Sequence, residues 1–588
     1  MLKWINKLFP LSGKTAHASQ HTLIDSQPHQ VDDSFNVSNE CKNQGDIYLD
    51  QGDLARAASC YREAIASNPN NAAAHNNLGL ILTDQRRYDE AIAQFKQAIQ
   101  LDSQSYNSFY MLGIIAQQRS NIDEAVDHFL QAISIRPDFP AALDYLGRLL
   151  REQGKLQASV DCYRKASSLN PQLAATHSDL LLALQFEGSS TQAELFAEHK
   201  RFAAQFEAPL KTTRRPHAND KSPERRLKIG YVSPDFRRHS VALFVLPILT
   251  SHDQQQFEIF CYSIYPEEDA LTAEIATIAS RFVRCAGMSD DELAQRIRAD
   301  GIDILVDLAG HTAHNRLPVF ARKPAPVQVS YLGYIDTTGL SAMDYRLTHA
   351  DTDPPGNEHY YSETLIRFQD HLWWAYRPAP DLPEISPLPA LANGFVTFSS
   401  NNHVSKISMA MLDTWAELLH AVPDSRLVLM GISSGVARKS FEERFASHGI
   451  DCGRLTFHGM VPLAEYRQLL LQTDISLDSF PYNGGTTTCE TLWLGLPLIT
   501  LTGSSFVSRM GYALLKEIGL SELAANNVAQ YVKIAAELAQ NLERLSVLRS
   551  GLREHMAKSS LSDEDRFTRG LESAYRDMWK VYLTSSMQ

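Results

Sequence analysis

The sequence predicts an all-α array of paired helices followed by two Rossmann-like α/β domains that face each other across a cleft. Glycines recur every 34 residues in the first quarter of the chain, a spacing typical of helical repeats. After residue 227, short apolar runs alternate with helix-compatible stretches, as in a sheet of parallel strands. A turn rich in glycine and threonine, residues 483–490, joins one such run to a helix.

Length and composition favour several folded units in a reducing compartment. A chain of 588 residues is too long for one hydrophobic core, and its 44% hydrophobic and 21% charged residues are ordinary for a folded protein. A net charge of −13 argues against nucleic acid as the main partner, because phosphate backbones bind basic surfaces. Seven scattered cysteines without a C-x-x-C pair favour a cytoplasmic location over a disulfide scaffold.

The amino terminus precedes the repeats. Residues 1–10 are apolar and basic, with lysines that interrupt any signal-peptide core, and no run in the chain is long enough to span a membrane. We therefore do not expect membrane contact. Beyond this segment the chain is polar and rich in His, Ser, Gln and Asp, so residues 1–39 are predicted to be a disordered leader.

Changes in periodicity set the predicted domain boundaries. The repeats and their capping helices are expected at residues 40–206, and a basic, proline-containing connector at 207–226. The first α/β domain is expected at 227–380. The second follows at 381–588 and ends in a helix.

Three columns of residues carry the 34-residue period. Small residues fit where two helices cross, and an aromatic ring fills the gap beside them, which is the tetratricopeptide pattern. Such arrays present a concave surface to peptides or partner proteins, although a purely structural stack is the alternative. The columns are Gly45, Gly79, Gly113 and Gly147; Ala64, Ala98, Ala132 and Ala166; and Tyr61, Phe95, Phe129 and Tyr163.

The strand-like runs of the second half fall into two sets, separated by a proline-rich stretch. Two such units in tandem place the ends of two sheets opposite each other, where ligands of these folds bind. The first set is 227–233, 257–263, 302–308 and 327–332, and the second is 395–399, 426–430, 454–457, 475–478 and 497–501.

The glycine- and threonine-rich turn is the candidate phosphate site. Gly484 and Gly485 let the backbone approach a ligand, and the threonines at 486–488 add hydroxyls to the free N–H groups of a helix's first turn. The positive end of the helix dipole also favours phosphate there. Glu490 follows where an acid could meet ribose hydroxyls. The alternative is an ordinary strand-to-helix connection capped by threonine.

Six motifs, in order, resemble those of the O-linked N-acetylglucosamine transferase/Spindly family over about residues 40 to 580. The resemblance implies a GT-B glycosyltransferase fold behind tetratricopeptide repeats. It also implies transfer of a sugar from a nucleotide sugar to Ser or Thr hydroxyls of proteins, with inversion and without an essential metal or other cofactor. The motifs are VSPDFRRHS at 232–240, DLAGHT at 307–312, KPAPVQ at 323–328, LGY at 332–334, NNHVSK at 401–406 and NGGTTTCE at 483–490.

Alternatives remain for the identity of the sugar donor and for the class of activity. The resemblance implies UDP-N-acetylglucosamine as the donor. GDP-fucose is the rival, because the phosphate turn is closest to bacterial and Spindly-like members. A tetratricopeptide scaffold with a non-catalytic sugar-nucleotide domain is a further alternative, as is a transferase acting on a glycan or small molecule.

Three residues are candidates for catalysis. Without a metal, the departing phosphates need a cation and helix-end donors, and Lys406 matches the family's lysine just past a predicted strand. His239, after the first strand of the first domain, could transfer a proton at neutral pH. His311, after the run 302–308, is the second histidine candidate. A hydrogen-bonded structural histidine is the alternative at both positions.

The resemblance also implies a set of nucleotide-sugar contacts. Backbone groups at Met460 and Val461 would hold the base, Tyr466 would stack on it, and Glu490 would hold the ribose. Gly333 would line the sugar pocket. The full set is Asn402, Lys406, Met460, Val461, Tyr466, Gly484, Gly485, Thr486, Thr487, Thr488, Glu490, Gly333 and Arg316.

The expected partners are a nucleotide sugar and protein or peptide acceptors bound along the repeats. The asparagine ladder that grips peptides in the family is only partial, with Asn43 and Asn77 present and Met111 and Tyr145 at the next two positions. A homo-oligomer is compatible with the sequence.

Overall fold

A computed structural model describes residues 33–379 and 381–585 of the chain. The chain divides into two compact units, one of residues up to 150 with 161–170, and one of residues 151–160 with 171 onward. Most of the predicted leader, residues 1–32, lies outside the described residues. The remainder of that leader is helical, because the first helix already begins at Asp33.

The first unit confirms the tetratricopeptide prediction. Its helices pair in sequence, and the helix carrying each repeat glycine packs against the helix carrying the aromatic residue. The helices are α1 (Asp33–Asp50), α2 (Leu54–Ser67), α3 (Ala72–Asp84), α4 (Tyr88–Leu101), α5 (Tyr106–Gln118), α6 (Ile122–Ile135), α7 (Pro140–Glu152) and α8 (Leu156–Leu169), the last two extending into the second unit.

Close helix contact explains the glycine column. A Cβ atom on Gly79 would lie 2.7 Å from the ring of Phe95, and one on Gly113 would lie 2.9 Å from the ring of Phe129. The aromatic rings are fully buried, so they cannot move aside into solvent. Only glycine lets the two helices of each repeat approach this closely. In the asparagine ladder, the amide of Asn77 is buried and donates to Asp46.

The second unit contains the remaining helices and all the strands. Its helices are α9 (Ala174–Glu187), α10 (Gln192–Phe206), α11 (Ser240–Ser251), α12 (Ala270–Ile278), α13 (Asp290–Asp300), α14 (Leu317–Ala321), α15 (Pro389–Asn393), α16 (Met409–Ala421), α17 (Val436–Ser447), α18 (Leu463–Leu471), α19 (Thr486–Trp493), α20 (Met510–Glu517), α21 (Val528–Gln540), α22 (Leu542–Lys558) and α23 (Glu564–Ser585). Its strands are β1 (Leu227–Ser233), β2 (Phe257–Ser263), β3 (Arg281–Arg284), β4 (Ile304–Asp307), β5 (Val327–Ser330), β6 (Tyr345–His349), β7 (Thr364–Phe368), β8 (Thr397–Ser400), β9 (Arg426–Met430), β10 (Leu455–His458), β11 (Ile475–Leu477), β12 (Leu498–Leu501) and β13 (Ala524–Ala525).

The strands form two parallel sheets, which confirms the two Rossmann-like lobes. The first lobe has the strand order β3-β2-β1-β4-β5-β6-β7, and the second has β10-β9-β8-β11-β12-β13. Central strands such as β4 and β12 are buried along their whole length, as expected where helices cover both faces of a sheet. The sequence patterns missed the edge strands β3, β7 and β13, and also the interior strand β6, whose sequence YRLTH carries no apolar run.

The predicted boundary between repeats and lobes is wrong for α9 and α10. The sequence predicts that these helices cap the repeats or join them to the next domain, and in the structure they share the core of the first lobe. Leu181 and Phe202 belong to the same buried cluster as Val232, Phe260 and Leu305 of the sheet. The apolar run of α9 therefore covers the sheet of the first lobe and not the last repeat.

The terminal helix α23 returns to the first lobe, although the sequence assigns it to the second domain. The hydroxyl groups of Tyr575 and Tyr231 lie 3.1 Å apart, and His252 Nδ1 lies 2.9 Å from Glu572 Oε1. The chain thus crosses from the second lobe back to the first and ties the two together. Among the described residues, no helix is long and apolar enough to cross a membrane.

Candidate active site

The site lies where the strand order reverses in each sheet. In the first lobe, β1 and β4 are neighbours: the strands that follow β1 are added on one side of the pair, and those that follow β4 on the other. The pair β8 and β11 has the same position in the second lobe. Ligands of open parallel sheets bind beyond the carboxyl ends of such strand pairs. The loops at these four ends carry His239, His311, Lys406 and the turn 478–485.

Asp478, directly after β11, organises the phosphate turn. Its side chain is buried and accepts hydrogen bonds from Gly484 N at 2.8 Å, Asn402 Nδ2 at 3.1 Å and Thr500 Oγ1 at 2.8 Å. Burial raises the pKa of this carboxyl to about 6, while these donors and the nearby Lys406 act in the opposite direction. One carboxylate therefore fixes the turn and the loop after β8 relative to each other.

The glycine pair leads directly into the helix α19. A Cβ atom on Gly484 would lie 2.5 Å from Thr488 Oγ1 and 3.0 Å from Asn402 Oδ1, so no side chain fits there. Thr487 Oγ1 donates to Asn402 Oδ1 at 3.2 Å. Gly485 is the N-cap and supplies no side-chain hydrogen bond, which leaves the N–H groups of the first turn for a ligand.

Lys406 and the phosphate turn lie side by side. The short 3₁₀ turn Val404–Lys406 carries the lysine, and its Nζ donates to the carbonyl oxygen of Asn483 at 3.1 Å. The same atom lies 4.3 Å from the ring centroid of Tyr482. Burial lowers the pKa of Lys406 to about 8, and Asp478 opposes this shift. The lysine is thus a partly desolvated cation beside a helix N-terminus.

His239 caps the helix α11 of the first lobe. Its Nδ1 accepts a hydrogen bond from Val241 N at 3.3 Å and lies 3.4 Å from Asp235 Oδ2. The side chain is 41% exposed, so Nε2 is open to a ligand. Burial lowers the pKa of His239, and the carboxylate of Asp235 opposes the shift. This histidine can exchange a proton near neutral pH.

Trp374 brings the two lobes into contact at the turn. Its ring stacks on Phe244 of α11, with centroids 4.4 Å apart and an interplanar angle of 21°. A Cβ atom on Gly485 would lie 3.4 Å from the same tryptophan ring. The helix that His239 caps and the phosphate turn therefore meet on either side of one buried ring. The indole Nε1 is buried without a hydrogen-bond partner among the described residues.

The structure does not bring His311 to the cleft. It is fully buried, with Nδ1 3.0 Å from Ser178 Oγ and Nε2 3.0 Å from the carbonyl oxygen of Thr338. Burial lowers its pKa well below the ordinary value. Both ring nitrogens are engaged in joining α9 to the first lobe, so the geometry supports the structural alternative and not a catalytic role.

A second cluster adjoins α19 at the candidate nucleoside end. Glu490 Oε1 accepts from Arg467 Nε at 2.7 Å, and Arg467 also contacts Asp381 at 3.1 Å. The hydroxyl group of Tyr466 is buried without a partner among the described residues. Burial first, and then the charge of Glu490, raise the pKa of Tyr466. The carboxylate and the phenol are therefore neighbours.

The other predicted contacts divide between the two lobes. Met460, in the loop after β10, is 84% exposed, and Val461 is half-buried beside it. Gly333 is required by backbone contact, because a Cβ atom there would lie 1.9 Å from the carbonyl oxygen of Leu308. Arg316 donates to Asp290 and to Met288 O within the first lobe, and it has no contact with the phosphate turn in the described ranges.

Sequence reasoning missed several residues that build the site. In the sequence, Asp478 ends a predicted strand at the start of the phosphate turn and Asp235 lies within a motif, and neither has a predicted role. A carboxylate directly after a buried strand could have identified both as loop organisers. Trp374 and Arg467 had no sequence signal, since each acts through a neighbour distant in the chain.

Comparison with known proteins identifies the family of the chain. The glycosyl transferase family 41 model matches residues 177–374 and 388–571, and the tetratricopeptide repeat model matches residues 42–106 and 110–174. The chain belongs to glycosyl transferase family 41. The family match begins at residue 177, within α9, which agrees with the packing of that helix on the first lobe.

Relatives of this family 41 chain include plant and bacterial proteins. It is 39% identical over 409 residues to a Petunia hybrida protein described as "Probable UDP-N-acetylglucosamine--peptide N-acetylglucosaminyltransferase SPINDLY", covering 68% of this chain and 44% of that protein. A lysine-to-methionine mutant of Thermobaculum terrenum O-GlcNAc transferase superposes with a TM-score of 0.73 at 31% identity, covering 94% and 99% of the two chains.

These matches confirm the predicted GT-B architecture behind tetratricopeptide repeats. The family 41 chain spans less than half the length of the plant relatives that it matches. The plant protein SEC of Arabidopsis thaliana is also similar, at 30% identity over 61% of this chain and 38% of that protein.

Proposed function

We propose that this family 41 chain is an inverting, metal-independent protein O-glycosyltransferase that transfers N-acetylglucosamine from UDP-N-acetylglucosamine to Ser or Thr of protein substrates. The observation that carries the proposal is the 3.1 Å contact between Lys406 Nζ and Asn483 O. It sets a cation beside the free N–H groups of α19, which is the arrangement that a departing diphosphate needs.

The diphosphate would bind between these two elements. The N–H groups at the start of α19 and the hydroxyl group of Thr486 would donate to its oxygens, while the Thr487 hydroxyl group stays bonded to Asn402. Lys406 would neutralise the charge that develops as the bond from the anomeric carbon to the phosphate oxygen breaks. Because the lysine is partly desolvated, its charge acts more strongly than it would in bulk water.

The acceptor hydroxyl would be activated from the first lobe. His239 Nε2 would take the proton of the hydroxyl group as its oxygen forms the new bond to the anomeric carbon. In the structure Nδ1 accepts from Val241 N, so for Nε2 to accept a proton Nδ1 must leave that hydrogen bond and donate instead to Asp235 Oδ2, which lies 3.4 Å away. The hydroxyl oxygen would attack the anomeric carbon from the side of the first lobe, and the diphosphate would leave toward the second lobe. Attack and departure on opposite faces invert the configuration of that carbon.

The nucleoside would occupy the cluster next to α19. Glu490 keeps Oε2 for a ribose hydroxyl while Oε1 accepts from Arg467. Tyr466 would stack on the base, and backbone groups at Met460 and Val461 would hold its edge. The printed names of the plant relatives favour UDP-N-acetylglucosamine, and GDP-fucose is the alternative donor.

The repeats would supply the acceptor. Tetratricopeptide arrays bind peptides and proteins along their concave surface, which favours a protein substrate over a free sugar. A non-catalytic sugar-nucleotide domain would use the same lysine to bind the diphosphate, so release of the nucleoside diphosphate is what distinguishes the enzyme from the scaffold.

A donor panel tests the proposal. The full chain is mixed with UDP-N-acetylglucosamine, UDP-glucose, UDP-galactose and GDP-fucose, and release of the nucleoside diphosphate is measured with and without EDTA. We expect release from UDP-N-acetylglucosamine that EDTA does not reduce. Release of GDP from GDP-fucose alone would show that GDP-fucose, and not UDP-N-acetylglucosamine, is the donor. Binding of a nucleotide sugar without release of its nucleoside diphosphate would favour the scaffold.

A further inference from the structure

Helix α9 contacts both lobes through consecutive residues. Gln185 Nε2 donates to Asp336 Oδ2 of the first lobe at 2.6 Å. The next residue, Phe186, stacks on Tyr482 of the second lobe, with ring centroids 4.6 Å apart and an interplanar angle of 13°. The helix that precedes the lobes in the chain thus ends against the residues that lead into the phosphate turn.

The turn after α9 is packed as closely. Gly188 has a φ of 74°, which favours glycine, and a Cβ atom there would lie 2.4 Å from Pro481. A larger residue would push α9 away from the segment Pro481–Tyr482. Phe186 therefore lies between two fixed points, the Gln185 side chain bonded to Asp336 and Gly188 packed against Pro481.

Successive contacts lead from α9 to Lys406. The guanidinium carbon of Arg151 lies 5.4 Å from the ring centroid of Phe186, and Lys406 Nζ lies 4.3 Å from that of Tyr482. With the Phe186–Tyr482 contact, these four side chains form a continuous series, which we name the Tyr482 stack.

Few other groups hold the lysine in place. Among the described residues, Lys406 Nζ forms no ion pair with a carboxylate within 4 Å, and its hydrogen bond goes to Asn483 O. Asp478 already accepts from several backbone and side-chain donors. A flexible lysine side chain in such surroundings takes its position from the aromatic face on which it rests.

We propose that Phe186 is a positioning residue that acts through Tyr482 to hold the Lys406 ammonium group against the leaving diphosphate. This inference rests on the proposed function. It makes the helix before the lobes part of the catalytic apparatus, because a displacement of α9 would move Tyr482 and with it the cation.

Substitutions that keep or remove the rings test this chain of contacts. Tyr482→Leu and Phe186→Leu remove one ring each, whereas Tyr482→Phe keeps the aromatic face and serves as the conservative rescue. Loss of a cation–π contact predicts a fall in kcat for donor turnover of roughly 2- to 30-fold in Tyr482→Leu. We expect a smaller fall in Phe186→Leu, with the donor KM changing less than kcat in both.

The pH profile separates positioning from general damage. The ring face favours the charged lysine, so its removal should move the alkaline limb of kcat to lower pH, and Tyr482→Phe should move it back. Phe445→Leu, a buried ring in the core of the second lobe on α17, is the matched control. It should lower the melting temperature without shifting the limb.

A double-mutant cycle completes the test. If Phe186 acts through Tyr482, the effect of Phe186→Leu should vanish in the Tyr482→Leu background. Additive effects of the two substitutions would overturn the inference, as would a Phe186→Leu variant with the wild-type kcat and alkaline limb. The proposed function is tested separately, by loss of turnover in Lys406→Ala. Should the wild type turn over no donor, the Lys406 pKa measured by NMR with ¹³C-labelled lysine decides instead. An unchanged pKa in both leucine variants would then overturn the inference.

Discussion

The ammonium group of Lys406 lies 3.1 Å from the carbonyl oxygen of Asn483, the residue directly before the glycine pair of the phosphate turn. These two residues belong to loops after neighbouring parallel strands, β8 and β11. The hydrogen bond therefore links a cation to a helix N-terminus across the point where the strand order reverses. A diphosphate bound at α19 would meet both at once.

The protonation of Lys406 predicts the alkaline limit of activity. Its pKa is lowered to about 8, so the group is charged below that pH and loses its charge as the pH rises through it. If the cation is needed for departure of the diphosphate, kcat/KM for the donor, which reports the ionisation of the free enzyme, should decline above about pH 8. A pH–rate profile of donor turnover measures this. A profile that stays flat far into the alkaline range would assign the charge stabilisation to another group.

The glycine at position 484 should control donor affinity. In Gly484→Ala the methyl group would meet Thr488 Oγ1 and Asn402 Oδ1, so the turn must open. We expect the donor Kd to rise by roughly tenfold or more, because loss of the hydrogen bonds between the turn and the phosphates costs about 1.5 kcal/mol. Titration calorimetry measures the change.

A matched glycine gives the control for that variant. Gly287 lies in the first lobe, and a Cβ atom added to it would meet no other atom within 4 Å. Gly287→Ala should therefore leave the donor Kd at the wild-type value. Equal affinity of Gly484→Ala and wild type would show that the turn does not cradle the phosphates.

The pair Asp235 and His239 should govern the acidic limb. The carboxylate favours a protonated Nδ1, so Asp235→Asn removes the group that raises the histidine pKa. The pKa of His239 should fall further, and the acidic limb of kcat should move to lower pH. The maximal rate should also drop by about 10- to 10⁴-fold, because the tautomer is no longer held.

The readout for this pair is again a pH–rate profile, with binding of the donor as the control. The donor should bind the Asp235→Asn variant normally, since neither residue contacts the phosphate turn. An acidic limb that does not move would remove His239 from the proton transfer.

The repeat glycines give a prediction about stability. Gly79→Ala would place a methyl group 2.7 Å from the ring of the buried Phe95, so the two helices must separate. We expect a loss of about 1–3 kcal/mol of unfolding free energy from overpacking. The substitution Phe95→Leu in the same chain should recover part of the loss by making room. Thermal or urea unfolding measures both, and additive losses in the double variant would contradict the account.

Local signals predicted the repeats, the phosphate turn and Lys406, because each depends on residues close in sequence. The glycine and aromatic columns read directly as helix contacts, and the turn 483–490 combines its glycines and its helix start in one segment. The predicted strands are those that carry apolar residues in a row or in alternation, including the partly buried edge strand β10. Edge strands such as β3 lack that pattern and were missed.

Properties that depend on distant partners could not be predicted. The apolar face of α9 looks the same in the sequence whether it covers another repeat or the sheet of the first lobe. In the same way, His311 follows a strand as His239 does. Only the packing of Ser178 and Thr338 on its two nitrogens distinguishes the buried residue from the open one.

Single-turnover release of UDP from UDP-N-acetylglucosamine, compared between wild type and Lys406→Ala, tests the central claim most directly. Lys406→Ala should still bind the donor, because the N–H groups of α19 remain, and its rate should fall by roughly 10²- to 10³-fold, the usual cost of losing one group that stabilises developing charge. A Lys406→Ala rate within about threefold of wild type, with the donor bound, would contradict the account.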